Sequence, residues 1–169
     1  EVNMPDWITH IVVAWTLCRI LRFKFKEFNS ANTMIVITGA LIPDIVKIIL
    51  VLKTVGIDIY EYLAPLHLPS GSFIIAGIIS LLFPEKKKTF LFLGLGILTH
   101  YSLDIILEHV SGGIYLFYPF IWWQWQLEIT NSSDYWVTLL ALSIAGLVYL
   151  IGKEVDKRNI TNGYELTEN

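Results

Sequence analysis

Long apolar runs separated by short polar stretches dominate the sequence, a pattern typical of a chain that crosses a membrane several times. A crossing helix needs about 20 mostly apolar residues. Five runs approach that length: Trp7–Leu21, Met34–Leu52, Leu68–Phe83, Thr89–Leu107 and Tyr135–Ile151. The segment Val55–Ala64 contains Asp58 and Glu61 among apolar residues and fits a short interfacial helix better than a crossing. The pattern predicts an all-α, polytopic membrane bundle with about five transmembrane segments.

Two other stretches do not fit a crossing helix. Gly112–Asn131 is rich in aromatic residues and irregular; such a stretch is more often an interfacial belt than the lining of a substrate pocket, and the two interpretations overlap here. After Gly152 the chain becomes polar with alternating charge, which predicts a frayed or disordered tail. We therefore divide the chain into a transmembrane domain at 1–152 and a polar C-terminal tail at 153–169.

The composition supports an integral membrane protein, since 54% of the residues are hydrophobic and only 16% are charged. The net charge is -3 and the basic residues are dispersed at segment ends, so nucleic acid is not a predicted partner. The single cysteine, Cys18, excludes an internal disulfide and a CxxC-type site, so any metal must be held by His, Asp or Glu. Residues 1–6 contain two acids and no basic residue, so we expect no cleavable signal peptide and a retained first helix.

Lysine and arginine residues predict the orientation of the chain, because cytoplasmic loops retain positive charge. The segments that follow the first, third and fifth runs contain Arg22, Lys24, Lys26, Lys86, Lys87, Lys88, Lys153, Lys157 and Arg158. The loops Lys53–His67 and Glu108–Asp134 contain a single lysine, Lys53, and no arginine. We therefore expect the N-terminus outside the cell membrane and the C-terminus in the cytoplasm.

Five candidate metal ligands lie in or directly beside the apolar runs, and ionisable residues at membrane depth often mark a functional site. His100 and Asp104 are four residues apart, about 6 Å along a helix, and share one face. His10 begins the first segment, Asp44 lies past the middle of the second, and His67 opens the third. With the predicted orientation, all five fall in the extracytoplasmic half. Imidazole and carboxylate groups together suit zinc, manganese or iron, and a bound cation keeps buried carboxylates ionised.

Each of these residues also has a structural explanation. Asp44 is one turn from Lys47 and could form an intrahelical ion pair with it. His10 and His67 lie near helix starts, where a histidine is often interfacial or a cap. The His–Asp pair of the fourth segment could be an interhelical polar contact that only joins helices.

The motifs that contain these residues resemble the LexA-binding, inner membrane-associated, metal-dependent hydrolase family. The resemblance runs from about Met4 to Phe120 through the strings MPDWITH, GALIPDI, HLPSGS and GILTHYSLDII. It implies that the metal ligands are His10, Asp44, His67, His100 and Asp104. The third motif of the family is similar to H-R-G-x-T-H-S, and here Leu68 and Ser72 stand in the places of the arginine and the second histidine.

The resemblance implies a membrane-embedded, metal-dependent hydrolase. Its favoured substrate is a phosphate ester of a lipid or amphiphile, such as a phospholipid, and its favoured metal is zinc, with manganese or iron as alternatives. Glu108 continues the His100–Asp104 stripe and is the candidate general base, although it lies near enough to water to be a solvated bystander. Membrane lipids are the expected partners. The alternative is a non-enzymatic membrane protein that binds or transports metal or has a structural role.

Overall fold

The computed structural model describes residues 5–47, 64–108, 113–127, 129–131 and 135–165. Within these ranges the chain forms five α-helices: α1 (Pro5–Arg22), α2 (Ser30–Leu41), α3 (Pro69–Ser80), α4 (Lys86–Ile106) and α5 (Tyr135–Glu165). Two short 3-10 segments, Pro43–Lys47 and Ala64–His67, precede α3 in the chain. A two-residue strand β1 (Leu107–Glu108) pairs in parallel with β2 (Thr130–Asn131). The predicted all-α class is therefore confirmed for this part of the chain.

Two of these helices are long and apolar enough to cross a membrane, over Lys86–Ile106 and Tyr135–Lys157. The shorter apolar helices α2 and α3 have 12 residues each, about 18 Å in length, which is too short to cross a bilayer without neighbouring residues. The predicted number of about five crossings stays a prediction.

The second apolar run does not continue as one α-helix. The helix α2 begins after Asn29, whose side chain accepts a hydrogen bond from the Asn32 N–H at 3.0 Å. It ends at Leu41, two residues before Pro43, and the backbone changes to a 3-10 turn, because proline has no N–H to donate and its ring clashes with the preceding turn. The interfacial helix predicted for Val55–Ala64 lies outside the described residues except for Ala64.

The helices α2 and α4 form the closest contact in the bundle. A Cβ atom on Gly39 would meet the carbonyl group of Leu93, and one on Gly96 would meet the carbonyl oxygen of Val36. Only glycine allows the two backbones to come this near. Beside this contact lies an apolar core formed by Ile42, Ala76, Leu93, Ile97, Tyr101 and Ile114.

The last helix, α5, packs mainly against the first. The hydroxyl oxygens of Thr9 and Thr138 are 2.8 Å apart, and Arg19 Nη2 donates a hydrogen bond to Asp156 Oδ2 at 2.8 Å. The Arg19 guanidinium lies against Gly152, where a Cβ atom would approach it to 2.6 Å. Most other side chains of α5 over the described Tyr135–Lys157 are exposed, which is consistent with a helix that faces lipid.

The C-terminal region differs from the prediction of a frayed tail, since α5 remains helical past Gly152 to Glu165. The contact of Arg19 with Asp156 gives this extension a partner on α1, and most residues that follow Gly152 are adequate helix formers. The division into a domain at 1–152 and a tail at 153–169 stays a prediction.

The aromatic stretch contains no helix within the described 113–127 and 129–131, so the prediction that it is not a crossing is confirmed. Ile114 and Trp125 pair as an antiparallel bridge. The Leu127 N–H donates to the carbonyl of Ile105 at 2.7 Å, and the Ile129 N–H donates to that of Ile106 at 3.1 Å. These bonds satisfy carbonyl groups in the last turn of α4, which have no partner inside the helix.

Candidate metal centre

Four ionisable side chains from three parts of the chain meet near the C-terminal end of α4. Asp104 lies between two imidazoles, with Oδ1 at 3.3 Å from His10 Nε2 and Oδ2 at 2.9 Å from His100 Nε2. Asp44 Oδ1 is 3.9 Å from the same His100 Nε2. The rings of His10 and His100 are stacked, with centroids 3.9 Å apart and planes inclined by 18°. We call these four residues the buried cluster.

The cluster is withdrawn from solvent, since the exposed fractions of its members range from 0% for His100 to 4% for Asp104. Taking four ionisable groups out of water is costly unless the groups compensate one another or bind a cation. Their positions follow from the local structure. His100 and Asp104 share a face of α4, and His10 lies on the side of α1 that contacts α4. The helix break at Pro43 places Asp44 beside His100.

A backbone carbonyl determines which nitrogen of His100 carries hydrogen. His100 Nδ1 is 2.8 Å from the carbonyl oxygen of Ala40, and because a carbonyl only accepts, Nδ1 is the donor. That carbonyl belongs to the last turn of α2, where the end of the helix leaves acceptors free. In the neutral ring, Nε2 therefore carries a lone pair and points at the Asp104 carboxylate. Two acceptors at 2.9 Å require a proton or a metal ion between or beside them, and the proton can be carried by Nε2 or by the Asp104 carboxyl group.

The donor set fits a divalent cation. One ligand atom from each of His10, Asp44 and His100 can be chosen so that all three lie within 4.8 Å of one another, a spacing that one ion can bridge. His10 Nδ1 is buried and has no hydrogen-bond partner among the described residues. Two imidazoles and a carboxylate suit zinc, manganese or iron. The residues present therefore fit a metal, and they do not determine which metal it is.

His67 lies beside the buried cluster. Its Nδ1 donates to the carbonyl of Pro43 at 2.9 Å, and its ring stands edge-on to that of His100 with centroids 6.0 Å apart. It is half-buried and is not one of the three residues whose ligand atoms come within 4.8 Å. The helix break at Pro43 thus leaves two backbone carbonyls free as acceptors, that of Ala40 for His100 and that of Pro43 for His67.

Two of the predicted interactions involve side chains that fall outside the description. Glu108 is in β1 by its backbone, and its predicted role as a base stays a prediction. The alternative of an intrahelical pair between Asp44 and Lys47 also stays open, because the Lys47 side chain is not described.

Sequence reasoning missed two buried hydroxyl groups that hold the backbone at Leu66 and His67. The Tyr101 hydroxyl donates to the carbonyl oxygen of His67 at 2.6 Å and lies 2.8 Å from Ser72 Oγ. Ser72 Oγ also donates to the Leu66 carbonyl at 2.9 Å. Both hydroxyls are almost completely buried. A tyrosine and a serine inside apolar runs need hydrogen-bond partners, and that requirement was the available signal.

Comparison with known proteins gave one informative result. The model of the family described as YdjM inner membrane protein matches residues 4–163, nearly the whole chain. The chain belongs to the YdjM inner membrane protein family. This is the LexA-binding, membrane-bound, metal-dependent hydrolase family, so the resemblance seen in the motifs is confirmed. No curated protein and no solved structure matched the chain.

Membership in the YdjM family makes the chain an inner membrane protein. The two long apolar helices agree with that location. The orientation of the termini stays a prediction from the basic residues. The coarse statement that the site could hold a metal rests on the geometry of His10, Asp44 and His100.

Proposed function

We propose that the protein is a membrane-embedded, metal-dependent hydrolase that cleaves a phosphate ester of a lipid or amphiphile at the extracytoplasmic face of the membrane. The observation that carries the proposal is the state of His100, whose Nδ1 is held by the Ala40 carbonyl while Nε2 faces two buried carboxylates. Such an arrangement is typical of a metal ligand whose other nitrogen is oriented by the protein.

The residues of the buried cluster would hold the ion, with zinc favoured and manganese or iron as alternatives. His10, Asp44 and His100 form the compact set, Asp104 contacts both imidazoles, and His67 is the fifth candidate ligand. When bound, the cation would polarise the oxygen of a phosphoryl group and lower the pKa of water.

The other steps of hydrolysis fall to the protein itself. Asp104 fixes the orientation of the two imidazoles that it contacts. Glu108 lies four residues further along the chain, in β1, and in our proposal it accepts a proton from the attacking water. The apolar side chains around the cluster lower the local dielectric, which strengthens the electrostatic interactions of a phosphate bound there.

The position of the cluster along α4 supports a lipid substrate. The helix begins with Lys86, Lys87 and Lys88, and His100 and Asp104 lie in its last two turns. Because lysines are retained on the cytoplasmic side, the cluster belongs near the opposite face. Phosphate groups of lipids are found at that depth, close to the boundary between headgroups and acyl chains.

Metal content is the first test. We expect protein purified in detergent without chelator to contain zinc or another divalent metal, and Asp44→Asn and the double variant His100→Ala/Asp104→Ala to lose most of it. Ser102→Ala is the matched control, because Ser102 lies between the two ligands on α4, is exposed and donates its hydroxyl hydrogen to the Leu98 carbonyl of its own helix. Elemental analysis gives the metal content, and circular dichroism verifies that the helices remain. Equal metal content in wild type and the double variant contradicts the site.

Turnover is the second test. Metal-replete protein should release phosphate or a phosphorylated headgroup from members of a panel of phospholipids and lipid phosphates, and chelator should abolish the release. If metal-replete protein releases neither from any lipid of the panel, the phosphoester substrate is wrong.

Burial of the cluster favours a second candidate, a membrane protein that binds metal without catalysing a reaction. Exposed fractions of 0–4% mean that these four residues have almost no contact with solvent in the described parts of the chain. A chain that retains metal in the first test and shows no turnover in the second would have this role.

A further inference from the structure

The aromatic segment 113–127 presents a broad exposed apolar surface and contains no charged residue. Its most exposed members are Phe120, Trp122 and Trp123, with exposed fractions of 90%, 70% and 68%. Exposed apolar side chains also occur at Phe117, Ile121, Trp125 and Leu127. A contiguous patch of this kind marks an interaction surface.

The segment has a defined structure of its own. The N–H and carbonyl groups of Ile114 and Trp125 exchange two hydrogen bonds of 3.0 and 2.9 Å. The Trp122 ring stands edge-on to Tyr118 and Tyr115, with centroid distances of 5.1 and 6.2 Å. Ile114 is part of the apolar core that also contains Leu93 and Ile97. One side of the segment is thus packed on the bundle, and the other side holds its aromatic rings outward.

Hydrogen bonds to α4 place the segment at one end of a membrane-length helix. The Leu127 and Ile129 N–H groups donate to the last-turn carbonyls of Ile105 and Ile106. The helix has 21 residues, so it is about 30 Å long and matches the hydrocarbon thickness of a bilayer. Because the other end carries three lysines, the aromatic segment lies at the level of the opposite interface.

The start of α5 adds aromatic residues at the same end. Tyr135 and Trp136 are exposed, and the Thr138 hydroxyl on the next turn contacts Thr9, the neighbour of His10. Tryptophan and tyrosine are enriched where headgroups meet acyl chains, since their rings are apolar and their N–H and O–H groups remain hydrated. Two separate parts of the chain therefore present interfacial side chains at one depth.

We infer that segment 113–127 is inserted in the interfacial layer of the bilayer and binds lipid there directly beside the buried cluster. Its partner is the glycerol and upper acyl region of membrane lipids, and because the segment is uncharged, insertion does not depend on headgroup charge. Asp104 directly precedes Ile105, whose carbonyl accepts a hydrogen bond from Leu127 of the segment. A lipid bound to the segment therefore lies next to the buried cluster. Insertion of the segment in the membrane does not depend on the proposed hydrolysis. Only the further role, delivery of substrate to the buried cluster, rests on the proposed function.

Depth-dependent quenching tests insertion. In a Cys18→Ser background, an environment-sensitive fluorophore is attached to Phe120→Cys, or to Lys87→Cys as the control at the lysine end of α4, and each protein is reconstituted in phosphatidylcholine vesicles. The label at 120 should be quenched by lipid spin-labelled near the glycerol and protected from aqueous iodide by at least threefold relative to the label at 87. Equal iodide quenching at both positions would overturn the inference.

Vesicle composition tests the independence from charge. Replacing a third of the phosphatidylcholine by phosphatidylglycerol should leave the lipid quenching at position 120 unchanged. Quenching that appears only with the anionic lipid would show that charge on other parts of the chain positions the segment, and would overturn the inference.

A substitution set separates delivery from catalysis. Phe120→Ser/Trp122→Ser/Trp123→Ser should lower turnover of lipid in vesicles about tenfold and leave both metal content and turnover of a soluble short-chain phosphate ester unchanged. Phe23→Ser/Phe25→Ser, which removes exposed aromatic rings at the other end of the bundle, is the matched control. Equal loss on both substrates would contradict delivery. Absence of turnover in wild type would contradict the hydrolase and leave the quenching result intact.

Discussion

His100 has a different partner on each ring nitrogen. Its Nδ1 donates to a main-chain carbonyl of α2, and its Nε2 faces carboxylates from two other positions in the chain. The carbonyl has no proton to give, so it selects one tautomer of the ring. The hydrogen bond to Ala40 thereby fixes the orientation of the His100 ring and leaves Nε2 available to bind an ion.

The two functions of the His100 ring can be separated by substitution. An asparagine amide reaches about as far as Nδ1, so His100→Asn should keep the bond to Ala40, remain nearly as stable as wild type and lose its metal. His100→Ala should lose the metal and about 1–3 kcal/mol of stability, because a buried carbonyl is left without a donor. Unfolding in detergent, measured with chelator in every sample, and elemental analysis give the two quantities. Full metal retention by His100→Asn would rule out Nε2 as a ligand.

At the scale of helices, the two glycines at the contact between α2 and α4 set the geometry of the site. The carbonyl of Ala40 reaches His100 only because Gly39 and Gly96 let the backbones approach. The break at Pro43 then turns the chain so that Asp44 and the Pro43 carbonyl face the histidines. A change in the distance between α2 and α4 would therefore move the candidate metal ligands directly.

Glycine substitutions measure this dependence. Gly96→Ala would place a methyl group on the Val36 carbonyl and the Ala40 amide, so it should lower the stability by roughly 1–3 kcal/mol and lower the metal content. Gly77→Ala in α3 is the matched control, because a Cβ atom there has no neighbour within 4 Å. It should be neutral or stabilising by up to about 1 kcal/mol. Thermal unfolding in detergent compares them, and similar effects of both changes would refute the role of the contact.

The sequence predicted some of these elements better than others. The runs at Trp7–Leu21 and Thr89–Leu107 agree within three residues with α1 and α4, since apolar composition and charged ends define a membrane helix well. The run Met34–Leu52 is not one α-helix, since α2 ends at Leu41 and a 3-10 turn follows from Pro43, and its last five residues lie outside the described ranges. The residues of the buried cluster could be named from their chemistry. Their carbonyl partners could not, because Ala40 meets His100 only through the crossing of two helices.

For the molecule as a whole, the two ends of α4 have opposite characters. Lysines begin the helix, and the buried cluster, the aromatic segment and the start of α5 gather at its other end. The orientation predicted from the basic residues, with the N-terminus outside and the C-terminus in the cytoplasm, stays a prediction and would place this end of α4 at the extracytoplasmic face.

Cysteine labelling tests that orientation. In a Cys18→Ser background, Ser133→Cys should react with an impermeant thiol reagent added to spheroplasts, whereas Lys87→Cys should react only after the membrane is opened. Labelling of both positions from the same side would contradict the predicted topology.

The contact between Arg19 and Asp156 also constrains how the protein is made. These residues are 137 positions apart and join the first helix to the last. At about 5–20 residues per second, a ribosome needs roughly 7–30 s to reach Asp156 after Arg19 has been synthesised. Throughout that interval α1 is without its final neighbour, and its guanidinium must be accommodated by water, lipid phosphates or the insertion machinery. The pairing of α1 with α5 is therefore completed only after the ribosome has passed Asp156.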